Sequence, residues 1–523
     1  MVNQEQGPEN DSRATPPTEP PRHFFERWES WLLGGLLLFA ALCRLYHITK
    51  PPIDFANWRE TITLMLARNF LREGMNPFHP SVDLRTTSEV AAQGIVGGTE
   101  FPFVPFPTAA LYALFGMHDW VGRVMPLLYA LAGLCFFYGF VRRWGGSTTA
   151  LVSTLLLSVS PMHLYFGRVH MPESFVFAAS FATLYYYDRW LESEKRGLFW
   201  AAVVASALML LGKPQLGVMA VPMALLTAQR WGWRMFTRRE FYLFALLTAL
   251  PFLAYFCYSY LWIIPRTGLS FASHEVFRFD LLTTSNFYRT IARTIWHIAV
   301  EPTVCVLSVV GLGVVLYERY RGSLTLRSFL PHAWLLGASM LLVIMPGGSY
   351  VNTYYLMILA PPACLLAGHL LATCFGHSLL RWGAAAALAV ATLHGVHAAY
   401  KCFEPVNEAA YRCGNWVRKN TAPDALVLTS VENPATLYFC DRVGWICWRQ
   451  NYGEVIVFNQ ALVERVHELG ADVVAIPDGE RFDNPSAPGH ERYQPVRDYL
   501  NENFRAHRER GFVVFFLDDT PRT

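Results

Sequence analysis

The chain has 523 residues, 53% of them hydrophobic and 16% charged, with a mean hydropathy of +0.24. That is too apolar for a set of soluble domains and places most of the chain in lipid. The 43 basic and 40 acidic residues leave a formal charge of +3, which excludes a polyelectrolyte surface for nucleic acid.

Residues 1–24 are rich in Pro, Glu and Asn and nearly lack apolar side chains, so a disordered cytoplasmic tail is expected. The first apolar run, 31–48, has no convincing small-residue cleavage site and reads as an uncleaved span. Runs at 121–141, 148–166, 174–190, 199–211, 216–228, 241–264, 295–317, 329–345, 354–374 and 380–400 follow, giving about eleven spans. Lys213 and Pro214 mark either a tight hairpin or a kink in one span.

Basic side chains resist translocation. Arg142, Arg143, Lys195, Arg196, Arg230, Arg234, Arg238, Arg239, Arg319, Arg321, Arg327 and Arg381 all fall in loops that are inward when the N-terminus is inside. This requires the stretch 103–115, broken by Pro105 and Pro107, to lie along the outer interface. The outer face then receives the loop 50–120, the loop 265–293 and everything after residue 400.

From residue 401 the texture is that of a soluble domain. Helical patterns at 407–419, 460–469 and 496–504 alternate with strand-like runs at 425–431, 472–476 and 512–517, as in a small α/β domain with a largely parallel sheet. It has neither a GxGxxG nor a Walker loop, so nucleotide binding is unsupported. Its four cysteines, Cys402, Cys413, Cys440 and Cys447, match no zinc ribbon and read as disulfides or as buried thiols.

Polar clusters gather on the outer face. In the segment 51–74, Asp54, Trp58, Arg59 and Glu60 lie at the start of a juxtamembrane helix; an N-cap Asp with a first-turn Glu is the plain structural alternative. Glu100 precedes the interfacial stretch, where an isolated carboxylate is costly without a partner. Arg168, His170 and Glu173 lie between two spans.

In this layout the chain resembles the integral-membrane glycosyltransferases of the C fold, in the bacterial branch related to protein O-mannosyltransferases and lipid A aminoarabinose transferases. The matching elements are the acidic motif within 54–74, Glu100-Phe101-Pro102, the segment from Arg168 to Glu173, and the Tyr-rich stretch 347–355 with Tyr350, Tyr354 and Tyr355. The similarity spans residues 25–400, a transmembrane transferase domain, with 401–523 as the extracytoplasmic α/β domain. The family's Asp-Glu pair falls in register on Arg59-Glu60, so only Glu60 matches, while Asp54 stands a few residues earlier.

The resemblance implies transfer of a hexosyl or pentosyl group from a polyprenyl-phosphate carrier to a lipid, glycan or protein acceptor, by a multi-pass protein of the cytoplasmic (inner) membrane. It implies Asp54 or Glu60 as base, and Arg59, Arg168 and Lys213 as phosphate ligands. Trp58, Glu173, Tyr350, Tyr354 and Tyr355 fall in the substrate-binding segments. Resemblance to the aminoarabinose transferases adds a divalent metal held by Glu100 and His274. A lipid-linked oligosaccharide polymerase or ligase of the same fold is the nearest alternative. A transporter predicts charged, broken helices at mid-membrane instead of clusters at one face.

The orientation is tested by labelling an introduced Glu480→Cys in intact cells with a membrane-impermeant maleimide. Labelling without permeabilisation is expected; labelling only after permeabilisation would invert the topology.

Overall fold

The computed structural model describes residues 28–85, 95–96, 100–267, 274–322, 326–447, 457–484, 486–487 and 489–517. The expected tail 1–24 lies outside the described residues. The apolar runs form helices, because backbone groups placed in lipid must be satisfied within their own segment. The first is α1 (Glu29–Leu45); α2 (Asn57–Glu73) and α3 (Pro105–Phe115) follow in the long first loop. Next come α4 (Asp119–Val159), the short α5 (Pro161–Phe166), α6 (Glu173–Ser193) and α7 (Arg196–Gly212).

Among the described residues, Asp119–Val159, Arg239–Thr267, Thr353–Phe375 and Arg381–Lys401 are long and apolar enough to cross a membrane. The pair Ser285–Ala299 and Pro302–Glu318, bent by 103°, makes a fifth if it is one span. The count of about eleven expected from hydropathy is therefore not reproduced by length and composition, and three causes are visible. Gly146, at φ 80° and ψ 177°, divides α4 into two helices. Other helices are short: α1 and α7 have 17 residues each, about 25 Å at the helical rise. Finally, α6 carries Glu173, Asp188, Arg189 and Glu192. The 11 residues of α3 are too few to cross. Lys213 sits at a break, where α7 gives way to a 3-10 turn, Pro214–Met219.

Buried polar groups close the helix ends. Arg44 donates to the carbonyls of Ala40, Ser158 and His163 at 3.0, 3.1 and 3.0 Å, where α4 and α5 end. At the sharp bend, Glu301 has φ 90° and accepts the N–H groups of Thr303 and Val304 at 3.0 and 2.5 Å, with His394 Nδ1 2.8 Å away.

The C-terminal region folds around a five-stranded sheet of β1 (Val427–Thr429), β2 (Gly444–Ile446), β3 (Val473–Ile476), β4 (Arg505–Glu509) and β5 (Phe512–Phe516), in the order β2-β1-β3-β5-β4. The first three strands are parallel, and β5 joins antiparallel to β3 and β4. Alternation sends Leu428, Val474 and Phe515 to one face, against the helices Gln460–Glu468 and Gln494–Asn503. Val427, Val473 and Val514 point the other way, into a cluster shared with Ile62, Met65, Leu66 and Phe70 of α2.

The sheet is thus docked directly on the juxtamembrane helix. Arg72 makes a two-pronged pair with Asp441, both contacts 2.8 Å, and Arg68 joins Asp441 at 2.8 Å and Asp83. The first loop adds a bridge to the sheet edge: Arg85 N–H donates to Gly444 O at 2.7 Å, and Gly444 N–H to Asp83 O at 2.9 Å. Only glycine fits there, since a Cβ would lie 1.7 Å from Val427 O. All ten cysteines are free thiols.

Close helix contacts depend on small residues. A Cβ on Gly311 would meet Leu366 O at 2.4 Å, whereas Gly313 on the same helix has nothing within 4 Å. Gly311→Val is expected to lower the melting temperature in detergent by about 3 °C or more, and Gly313→Val to leave it unchanged. Equal shifts would contradict this packing.

Candidate active site

The first turn of α2 brings the charges together. Asp54, just before it, accepts the Tyr165 hydroxyl at 2.5 Å and Arg168 Nη2 at 2.8 Å. Tyr165 Oη in turn accepts the Ala56 N–H at 2.8 Å. Phe403 lies beneath the Arg168 guanidinium at 4.2 Å, and Asp54 is only 4% exposed. Burial, and next the nearby Glu60 carboxylate, push the Asp54 carboxyl up to about 6, against the pull of Arg168.

Glu60 points inward, fully buried. Its Oε1 accepts Arg123 Nε at 3.1 Å and the His170 N–H at 3.3 Å. Burial raises its carboxyl, but Arg123 and Arg168 outweigh that and hold it below the usual range. Arg123 also donates to the carbonyls of Lys50, Ile48 and His47 at 2.5, 2.9 and 3.2 Å, tying the end of the first span to α2.

A second cluster lies on the other side of the same turn. Arg59 pairs with Glu100 at 2.5 Å, and Lys213 with Glu173 at 2.5 Å. The Lys213 ammonium lies 4.4 Å from the Tyr354 ring centre and 5.3 Å from that of Tyr355, whose hydroxyl accepts Gln215 Nε2 at 3.2 Å. Burial raises the Glu100 carboxyl, but Arg59 and Lys213 prevail and lower it. Glu100 and Arg59 are the open part of the site, with side chains 22% and 15% exposed, against 0% for Glu60.

The structure therefore assembles Asp54, Glu60 and Arg168 in one cluster and Arg59, Glu100, Glu173, Lys213, Tyr354 and Tyr355 in the adjoining one. Tyr350 stands apart, accepting Asn286 Nδ2 at 2.8 Å, and Trp58 turns to the soluble domain, donating to Glu432 O at 3.2 Å. His274 opens a short 3-10 helix, but its side chain lies outside the described residues. Among the described residues no three His, Cys, Asp or Glu side chains converge as metal ligands, and the Glu100 carboxylate is engaged by Arg59.

Sequence reasoning missed Arg123, Tyr165, Gln215 and Asn57. Arg123 carries a signal, being a charge one turn into an apolar span. Tyr165 and Gln215 carry none, since their partners lie more than a hundred residues away.

Four acids and four bases thus face one another, and no pair of neighbouring carboxylates is left without a cation. Such an arrangement can orient an anionic group at its open edge and hold a carboxylate ready beside it.

Residues 99–258 match the family described as dolichyl-phosphate-mannose-protein mannosyltransferase. No curated protein sequence matches the chain. The crystal structure of ArnT from Cupriavidus metallidurans bound to undecaprenyl phosphate superposes with a TM-score of 0.60 at 15% identity, over 95% of this chain and 99% of that one. Its apo state gives 0.59 at 14%, over 94% and 98%. The archaeal oligosaccharyltransferase AglB from Archaeoglobus fulgidus, in complex with an inhibitory peptide and a dolichol-phosphate, gives 0.54 at 11%, over 95% and 75%. The chain has the fold of the C-type integral-membrane glycosyltransferases, and its residues 99–258 match the mannosyltransferase family within that group.

Proposed function

We propose that the protein transfers a sugar from a polyprenyl-phosphate carrier to an acceptor hydroxyl at the outer face of the membrane. One juxtaposition carries the reading: Arg59, partly open, and the buried Lys213 share a cluster with Glu100 and Glu173 beside the turn of α2 that follows the buried Asp54. The ArnT and AglB structures hold undecaprenyl phosphate and dolichol-phosphate, the ligand chemistry that this cluster suits. The reading places the N-terminus inside, the soluble domain outside, and the shorter helices among about eleven spans.

In the reaction the acceptor oxygen attacks the anomeric carbon, and the bond from that carbon to the carrier phosphate oxygen breaks. The leaving phosphate takes the electron pair, which Arg59 and Lys213 stabilise as charge develops. The acceptor proton passes to Asp54, whose partners Arg168 and Tyr165 hold it in place. Because Asp54 is sealed, the acceptor reaches it only when the loop before α2 parts from the linker over it. Glu60, committed to Arg123 in a dry site, serves as the counter-charge that keeps this arginine in place.

Asp54→Asn is nearly isosteric and is expected to lower transfer by about two orders of magnitude or more, with expression and carrier binding retained. Glu60→Gln instead strips Arg123 of its buried counter-charge and is expected to reduce folded protein. A base with its carboxyl near 6 must be ionised to act, so the wild-type rate is expected to climb with pH through about 6 and level off above it. Transfer from undecaprenyl-phosphate mannose in isolated membranes provides the assay. Near-normal rates in Asp54→Asn beside a dead, well-folded Glu60→Gln or Glu100→Gln would move the base to that residue.

A further inference from the structure

Asn57 occupies an unusual place in this architecture. It is 6% exposed, and its side-chain amide is engaged on both sides. Its Nδ2 donates to the backbone carbonyl of Asp54 at 2.7 Å. Its Oδ1 accepts two further amides, Asn433 Nδ2 at 2.7 Å and Asn407 Nδ2 at 3.0 Å, which fills both lone pairs. Neither donor belongs to the membrane helices. Asn407 ends the linker after the last span, and Asn433 follows β1 of the soluble domain, where its Oδ1 accepts the Ala435 N–H at 2.9 Å.

The linker reinforces the same loop. Phe55 N–H donates to Cys402 O at 3.2 Å, and Val406 and Asn407 N–H donate to Ile53 O at 2.8 and 3.0 Å. Phe403 covers both Arg168 and Tyr165, with ring centres 5.1 Å apart in the second contact. The backbone that carries Asp54 is therefore held from outside the membrane domain, while its carboxylate is held from inside by Tyr165 and Arg168.

We propose that Asn433, with Asn407, is a positioning residue that fixes Asp54 through Asn57, so that the soluble domain sets the reactivity of a base it does not contain. The proposal rests on Asp54 being the base. Docking of the domain does not need these amides, because the Arg72–Asp441 pair and the apolar contacts of Ile62, Met65, Leu66 and Phe70 hold it elsewhere on α2. Losing the Asn433 amide thus leaves the domain in place and loosens the loop beneath it. A carboxylate displaced from Arg168 and Tyr165 loses the groups that favour its ionised form, and its geometry toward the acceptor degrades.

The test uses the full-length protein in lipid nanodiscs with undecaprenyl-phosphate mannose as donor. Asn433→Ala is expected to lower kcat about tenfold, to leave KM for the donor within about twofold, and to move the acid limb of the pH profile upward. Arg72→Ala serves as the docking control. It is expected to make the domain junction more protease-sensitive, with kcat and the pH limb as in wild type. If Asn433→Ala changed only melting temperature or protease sensitivity, with kcat and the pH limb unaltered, the amide would be merely structural and the proposal overturned. Asp54→Asn is measured alongside. A dead Asp54→Asn beside a wild-type-like Asn433→Ala removes the relay alone, whereas an active Asp54→Asn removes the base and the relay together.

Discussion

Mutual neutralisation of buried charge at the first turn of α2 is the constraint on which the rest of the site depends. Four carboxylates, Asp54, Glu60, Glu100 and Glu173, meet Arg168, Arg123, Arg59 and Lys213 in four pairs between 2.5 and 3.1 Å. An unpaired ion in such a place costs several kcal/mol, so the helices that supply the partners are held in one relative arrangement. The pairing also sets what any anion entering the site must do. It adds negative charge to a balanced site, and it competes with Glu100 and Glu173 for the same two cations. Arg59 and Lys213 are thus oriented by their own carboxylates, and under the proposed function they need not reorganise during reaction.

Hydropathy made the membrane character and most helix positions legible: the run expected at 31–48 forms Glu29–Leu45, and the juxtamembrane helix expected within 51–74 forms Asn57–Glu73. In the soluble region the expected strands at 425–431, 472–476 and 512–517 shorten to Val427–Thr429, Val473–Ile476 and Phe512–Phe516. Two strands escaped notice. Gly444–Ile446 is only three residues long, and Arg505–Glu509 is a polar edge strand without an apolar pattern. The acids and bases of the site showed themselves because charge is rare in such a chain. Their pairing did not, since Glu60 meets Arg123 and Asp54 meets Arg168 across 63 and 114 residues, separations set only by how the spans pack.

The C-terminal domain makes direct contact with α2 and with the loop before it. Its sheet shares an apolar cluster with α2, its edge accepts a strand-like bridge from the first loop, and its asparagine reaches the residue beside Asp54. Motion of this domain therefore bears directly on the loop that carries Asp54. Coupling of this kind needs no long-range pathway, because the contacts are immediate.

If Arg59 and Lys213 hold the phosphate of the proposed polyprenyl-phosphate donor, removing their charges must weaken its binding. The most direct measurement is the affinity of the purified protein in nanodiscs for undecaprenyl phosphate, compared with that of an Arg59→Gln/Glu100→Gln/Lys213→Met/Glu173→Gln variant, which removes both ion pairs whole and leaves neither carboxylate unpaired. Binding by the wild type and a loss of roughly tenfold or more in the variant are expected. Equal affinity of the two proteins would contradict that role.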